Sequence, residues 1–102
     1  MSPRSKTKAQ SERSHFKRRL SQRYGIHINR TGYWHLVDLV KSGQSEFLYS
    51  QSNTRSVHRI AFKHRGRSVG IIAIYDKSRG ELVTALPQHL TEEDRRIYNG
   101  DD

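Results

Sequence analysis

The sequence predicts an α+β domain in which two helices pack on a four-stranded antiparallel sheet. Three observations carry this expectation. Apolar residues recur every three or four positions as far as Lys41, and after Gly43 the pattern changes to alternation. The alternating runs are joined by links short enough for hairpins, which favours an antiparallel meander with both helices on one face.

The first helix should begin near Ser11 or Ser14 and end at Tyr24. Phe16, Leu20 and Tyr24 stand at i, i+4 and i+8, and Gly25 is a natural C-cap. The second should run from about Thr31 to Lys41. Its buried stripe is Tyr33, Leu36, Val37 and Val40, with Asn29 or Thr31 as cap and Ser42-Gly43 as its close. Trp34 should shield the junction between the helices.

Strands are expected at Glu46–Ser50, Val57–His64, Ser68–Tyr75 and Leu82–Leu86, the last stopped by Pro87. Arg65-Gly66-Arg67 should turn tightly. Ser68–Tyr75 is nearly continuous apolar sequence and reads as the central strand, with Ile72 and Ile74 facing the helices. Strict alternation in the last strand would put Leu82, Thr84 and Leu86 on one face, with Val83 and Ala85 on the other.

A chain of 102 residues, 32% of them hydrophobic, allows one domain with a modest core. Residues 11–88 should form it. Residues 1–10 carry only Met1 and Ala9 as apolar side chains and are expected to be a disordered basic tail. Residues 89–102 form an acidic segment, and Thr91-Glu92-Glu93-Asp94 resembles the capped start of a short helix. No apolar run reaches membrane-spanning length, and the polar N-terminus does not resemble a signal peptide. A cytoplasmic location is therefore expected.

Charge points to the partner. Lys and Arg outnumber Asp and Glu 19 to 10, a net +9. Residues 1–24 carry +7, residues 25–88 carry +5 and residues 89–102 carry −3. Such a balance favours a polyanion, because each neutralised phosphate releases condensed counterions. The basic stretch also reads as an ordinary solvated tail.

Other chemistries find little support. There is no cysteine, no metal-ligand spacing among the six histidines and no phosphate-cradling glycine loop. Asp38, Glu46, Asp76 and Glu81 are scattered, which supplies two-metal nuclease chemistry poorly. No cofactor and no metal are expected.

Two positions remain. On a wheel of about 100° per residue, His15, Arg19 and Arg23 fall within about 80° of one another, bordering the Phe16–Leu20 stripe. An imidazole beside two guanidiniums suits a phosphodiester, since arginine grips non-bridging oxygens and histidine moves protons. The same residues also fit plain surface cations. Thr84, within Leu-x-Thr-x-Leu, is either a strand former bonded to a neighbour or a hydroxyl aimed into a site.

Three segments carry a family likeness. They are Ser14–Ile26, the polar loop Ser52-Asn53-Thr54-Arg55, and Ile74–Pro87 with its Tyr-Asp and Leu-Val-Thr-Ala-Leu-Pro runs. Together they resemble the small toxin-like ribonucleases of the RelE and colicin-D type, the BECR fold, over roughly Ser14 to Pro87. The resemblance implies helices followed by a four-stranded antiparallel sheet and metal-independent RNA cleavage between them. By matched position it implies His15 as acid/base, Arg23 as the phosphate-stabilising cation and Thr84 as the strand residue of the site. Arg18, Arg19, Arg55, Arg59 and Tyr75 would hold flanking phosphates or bases. The implied partners are RNA and an antitoxin or inhibitor protein. The basic tail and the acidic C-terminal segment depart from the pattern. Some members of this fold bind without cutting, so a non-catalytic nucleic-acid-binding or host-inhibiting module is the alternative.

Overall fold

The structure is a computed structural model that describes residues 8–88. Helix α1 spans Lys8–Tyr24 and α2 spans Arg30–Lys41. Strands β1 (Glu46–Ser50), β2 (Arg55–His64), β3 (Arg67–Asp76) and β4 (Glu81–Leu86) pair antiparallel in sequence order. The α+β class expected from the sequence is the observed one. The first residues and the acidic segment, with its expected helix, lie outside the described residues.

Local chemistry sets the ends of the helices. α1 starts at Lys8, three residues inside the stretch expected to be disordered. Lys, Ala and Gln are good helix formers, and each added residue gains a hydrogen bond without a new nucleus. Gly25, at φ +68°, ends α1 by donating its N–H to the Ser21 carbonyl at 2.9 Å. Asn29 caps α2, its Oδ1 accepting from the Gly32 N–H at 2.8 Å. Arg65 and Gly66, both at positive φ, form the two-residue turn between β2 and β3, a geometry that matches strand twist.

Both helices cover one sheet face. Phe16 and Leu20 of α1 join Tyr33, Leu36, Val37 and Val40 of α2 over Ile60, Ile71, Ala73, Tyr75, Leu82 and Ala85. Phe16 and Tyr33 meet edge to face, with ring centroids 5.7 Å apart. Trp34 stands against Tyr33 in the same way at 5.0 Å, and the Arg13 guanidinium lies 5.7 Å from its ring. Trp34 thus sits at the helix junction, as expected.

The phase of β3 is opposite to the expected one. Ile71, Ala73 and Tyr75 face the helices, while Ile72 and Ile74 join Val57, Val83 and Leu86 in a second buried cluster on the other face. Both alternations of this strand are apolar, so its composition did not fix which set turns inward. β4 also departs from strict alternation. Thr84 pairs with Ile74 and Leu82 with Tyr75, so Val83 is an extra residue, a β-bulge. The bulge puts Leu82 in the helix-side cluster and Leu86 in the opposite one, which corrects the shared face expected for Leu82, Thr84 and Leu86.

Polar side chains from the helices hold β4. The Tyr24 hydroxyl donates to the Leu86 carbonyl at 2.7 Å and accepts from the Ile72 N–H at 3.0 Å, bridging β4 to β3. The buried Tyr33 hydroxyl donates to the Leu82 carbonyl at 3.1 Å and accepts from the Leu82 N–H at 3.0 Å.

Two substitutions test this core by urea denaturation. Leu20→Ala removes a fully buried side chain from the helix–sheet interface and should cost about 2–5 kcal/mol. Tyr33→Phe keeps the ring but strands a buried N–H and carbonyl, and should cost about 1–3 kcal/mol. A loss under about 0.5 kcal/mol for Tyr33→Phe would show that the Leu82 groups find other partners.

Candidate nucleic-acid interface

α1 presents half of the expected site, His15, Arg18, Arg19 and Arg23. α1 packs along β4, and Arg23, at the end of the ridge that begins with His15 and Arg19, meets that strand, with Arg18 one turn after His15. Arg18 Nη2 stands 3.4 Å from His15 Nδ1, Arg19 Nη1 donates to Gln22 Oε1 at 2.9 Å, and Arg23 Nη1 donates to the Ala85 carbonyl at 2.7 Å. Arg23 therefore meets β4 at the residue next to Thr84. Its guanidinium is committed to the fold through that bond, on a side chain that is half-buried.

Thr84 is placed differently from the expectation. Its register with Ile74 puts it on the alternation that carries the second cluster, turned from the helices, and it is 1% exposed. A residue so buried contributes to the shape of β4 and not to an open surface. The structure thus joins His15 to Arg18 and Arg23 to β4, without exposing Thr84.

The two arginines of β2 sit in ion pairs. Arg55 lies opposite Asp76, Nε to Oδ2 at 3.8 Å, and Arg59 Nη1 bonds Glu46 Oε1 at 2.7 Å. The second pair is exposed at both ends, where such contacts contribute little and exchange readily for another anion. The first rests on a buried carboxylate. Burial pushes the Asp76 carboxyl up, but two hydrogen bonds from Ser78, with Arg55 and Arg79 nearby, outweigh it and leave the pKa below the usual value.

Tyr75 leads to a cleft that the sequence did not reveal. It lines a cavity of about 370 Å³ together with Val40, Lys41, Phe47, Ser56, His58 and Lys77. The His58 ring lies between two hydroxyls, Ser45 Oγ at 3.0 Å from Nδ1 and Ser56 Oγ at 2.8 Å from Nε2. Burial, and after it the nearby Lys77 ammonium, hold the His58 pKa below its ordinary value. Burial, with Asp76 beside it, raises that of Tyr75. The alternation of β2 does place His58 with Ile60 on the helix side, but the other walls come from α2, β1 and the β3–β4 turn. Among the described residues no three His, Asp or Glu side chains gather into a metal-ligand set.

No family model, curated protein or solved structure matches this chain. What the fold and its surface define is a class: a cationic α+β domain, two helices on one face of an antiparallel meander. Among the described residues no helix is long and apolar enough to cross a membrane.

The Asp76 environment gives a pH prediction. A carboxyl whose folded pKa is depressed adds stability above its unfolded pKa of about 3.9, and that stability is lost as pH falls through the folded value. Asp76→Asn should therefore be less stable than the parent at pH 7, and the gap should close by about pH 2. Urea unfolding across that range measures it, and a gap independent of pH would assign the loss to packing.

Proposed function

We propose that the chain is a metal-independent, toxin-like endoribonuclease acting on RNA in the cytoplasm. One observation carries this reading. α1 carries a partly exposed His15 with Arg18 in contact with it, Arg19 one turn further on, and Arg23 a second turn on where the helix meets β4. Guanidiniums at this spacing follow a phosphate backbone, and the net charge of +9 draws a polyanion to them.

In the proposed reaction the ribose 2′-OH attacks the adjacent phosphorus and the bond to the 5′ oxygen breaks. The products are a 2′,3′-cyclic phosphate and a 5′-OH. The 2′-OH proton passes to the His15 imidazole, and the leaving 5′ oxygen takes one from water. Arg23 and Arg19 offset charge gathering on the non-bridging oxygens. Arg18, and Arg59 once released from Glu46, hold neighbouring phosphates. Thr84 acts through β4, fixing the strand that receives Arg23. An antitoxin or inhibitor protein would have to present acidic side chains to the same flank.

A second reading has an observation in its favour. The bond from Arg23 to the Ala85 carbonyl and the burial of Thr84 suit a module that binds RNA without cutting it. Incubating RNA with the purified chain in EDTA separates the two. Cleavage leaving cyclic-phosphate ends is expected, and His15→Ala should lower the rate about 100- to 10,000-fold with its circular dichroism unchanged. Arg23→Lys keeps a donor for Ala85 but loses the planar fork, so it should fail in part. Thr84→Ala should fall between the parent and His15→Ala. Salt-sensitive RNA binding with no cleavage would put the second reading in its place.

A further inference from the structure

The most exposed large apolar side chain among the described residues is Phe47, 57% exposed on edge strand β1. A bulge sets its direction. Phe47 pairs with His58 and Tyr49 with Val57, leaving Leu48 as the extra residue. Leu48 and Tyr49 then both pack in the second cluster, while Phe47 stays on the helix side at the cleft. A bulge that redirects one side chain next to a cavity is a common device at sites.

The rest of the cleft is built of two kinds of surface. One is aromatic: the Phe47 and His58 rings meet edge to face at 5.7 Å, and His58 and Tyr75 at 6.1 Å. Two serine hydroxyls fix the His58 ring, and its low pKa keeps it neutral near pH 7, so it is a flat uncharged wall. The other is cationic. Lys41, at the end of α2, and Lys77, just past β3, both border the cavity. The Lys41 side chain lies over the β3–β4 turn, with its Nζ 3.2 Å from where a Cβ on Gly80 would sit. The Tyr75 hydroxyl is 3.7 Å from that same point. Gly80, at φ +66°, leaves this space open.

We propose that this cleft holds one nucleotide of a single-stranded RNA. Its base stacks on Phe47, and the adjoining phosphate lies between Lys41 and Lys77. Charge complementarity and an exposed aromatic beside paired ammoniums are the features such sites combine. A polar peptide would leave Phe47 uncovered, and an apolar one would leave two ammoniums facing it. The hydroxyls of Ser56 and Tyr75 add hydrogen-bonding groups at the cavity wall, next to where the base edge would lie. This site rests on the RNA-directed reading above, and it adds a place where unpaired sequence is held.

Fluorescence anisotropy with a labelled single-stranded 2′-O-methyl RNA 12-mer, which cannot form the cyclic phosphate, tests it in EDTA. Phe47→Ala should weaken binding roughly 5- to 100-fold without changing the salt slope. Lys41→Gln with Lys77→Gln should reduce the steepness of log Kd against log salt by about 0.7, one phosphate contact on a single strand. A blunt-ended RNA duplex should be indifferent to Phe47→Ala, because paired bases cannot leave the stack. Melting temperatures of the variants should match the parent, as these side chains lie at the surface. Unchanged affinity for the 12-mer in both variants, with the parent binding normally, would overturn the cleft and leave the α1 reading standing. A parent that binds no RNA at all would overturn both.

Discussion

The last strand of an open sheet carries a row of N–H and C=O groups with no neighbour, and β4 meets this demand with side chains sent from the helices. The Tyr33 hydroxyl serves both groups of Leu82, Arg23 takes the Ala85 carbonyl, and the Tyr24 hydroxyl takes the Leu86 carbonyl while bridging to Ile72. Arg13 closes the opposite end with a 2.7 Å ion pair to the buried Glu81. α1 therefore runs beside β4 with anchors at both ends. Phe16 and Leu20 are buried between those anchors, and the position of His15 follows from them.

Much of this architecture was legible because it depends on local rules. Gly25 and Asn29 end and start helices through φ and a side-chain oxygen, which are properties of single residues. The hairpin at Arg65-Gly66 and the stripe of α2 belong to the same class. What was not legible depends on choices between near-equal alternatives. Ile71 and Ile72 are both suited to burial, so which of them faces the helices is settled by Phe16, Leu20 and Tyr33 arriving from elsewhere. The bulges at Val83 and Leu48 leave no compositional mark, yet each changes the face of every residue beyond it. Thr84 was misplaced for this reason. The cleft was missed because its walls lie far apart in sequence, from Val40 to Lys77.

Charge on this surface divides by what lies opposite it. Arg13 and Arg55 face buried carboxylates, and moving either would take a neighbouring positive charge from Glu81 or Asp76 in a poorly solvated place. Those two cations belong to the fold. Arg59 faces an exposed Glu46, and a phosphate can replace that partner at small cost. Arg18, Lys41 and Lys77 are exposed and sit beside a histidine or a cavity. A count of basic residues overstates the surface available to a polyanion, and pairing with buried acids is what reduces it.

The two walls of the cleft are held by different numbers of neighbours. Tyr75 packs in the helix-side core with Val40 and Leu82, so its position is set by the same contacts that seat both helices. Phe47 stands on a five-residue edge strand beside a bulge, with only β2 as a neighbour in the sheet. For the nucleotide proposed above, Phe47 would offer a platform to purine or pyrimidine alike, with Tyr75 and the serine-held His58 as the floor. Stacking is tolerant of sequence because every base has a π face. Selectivity would then come from the fixed floor, through hydroxyls whose geometry the core determines.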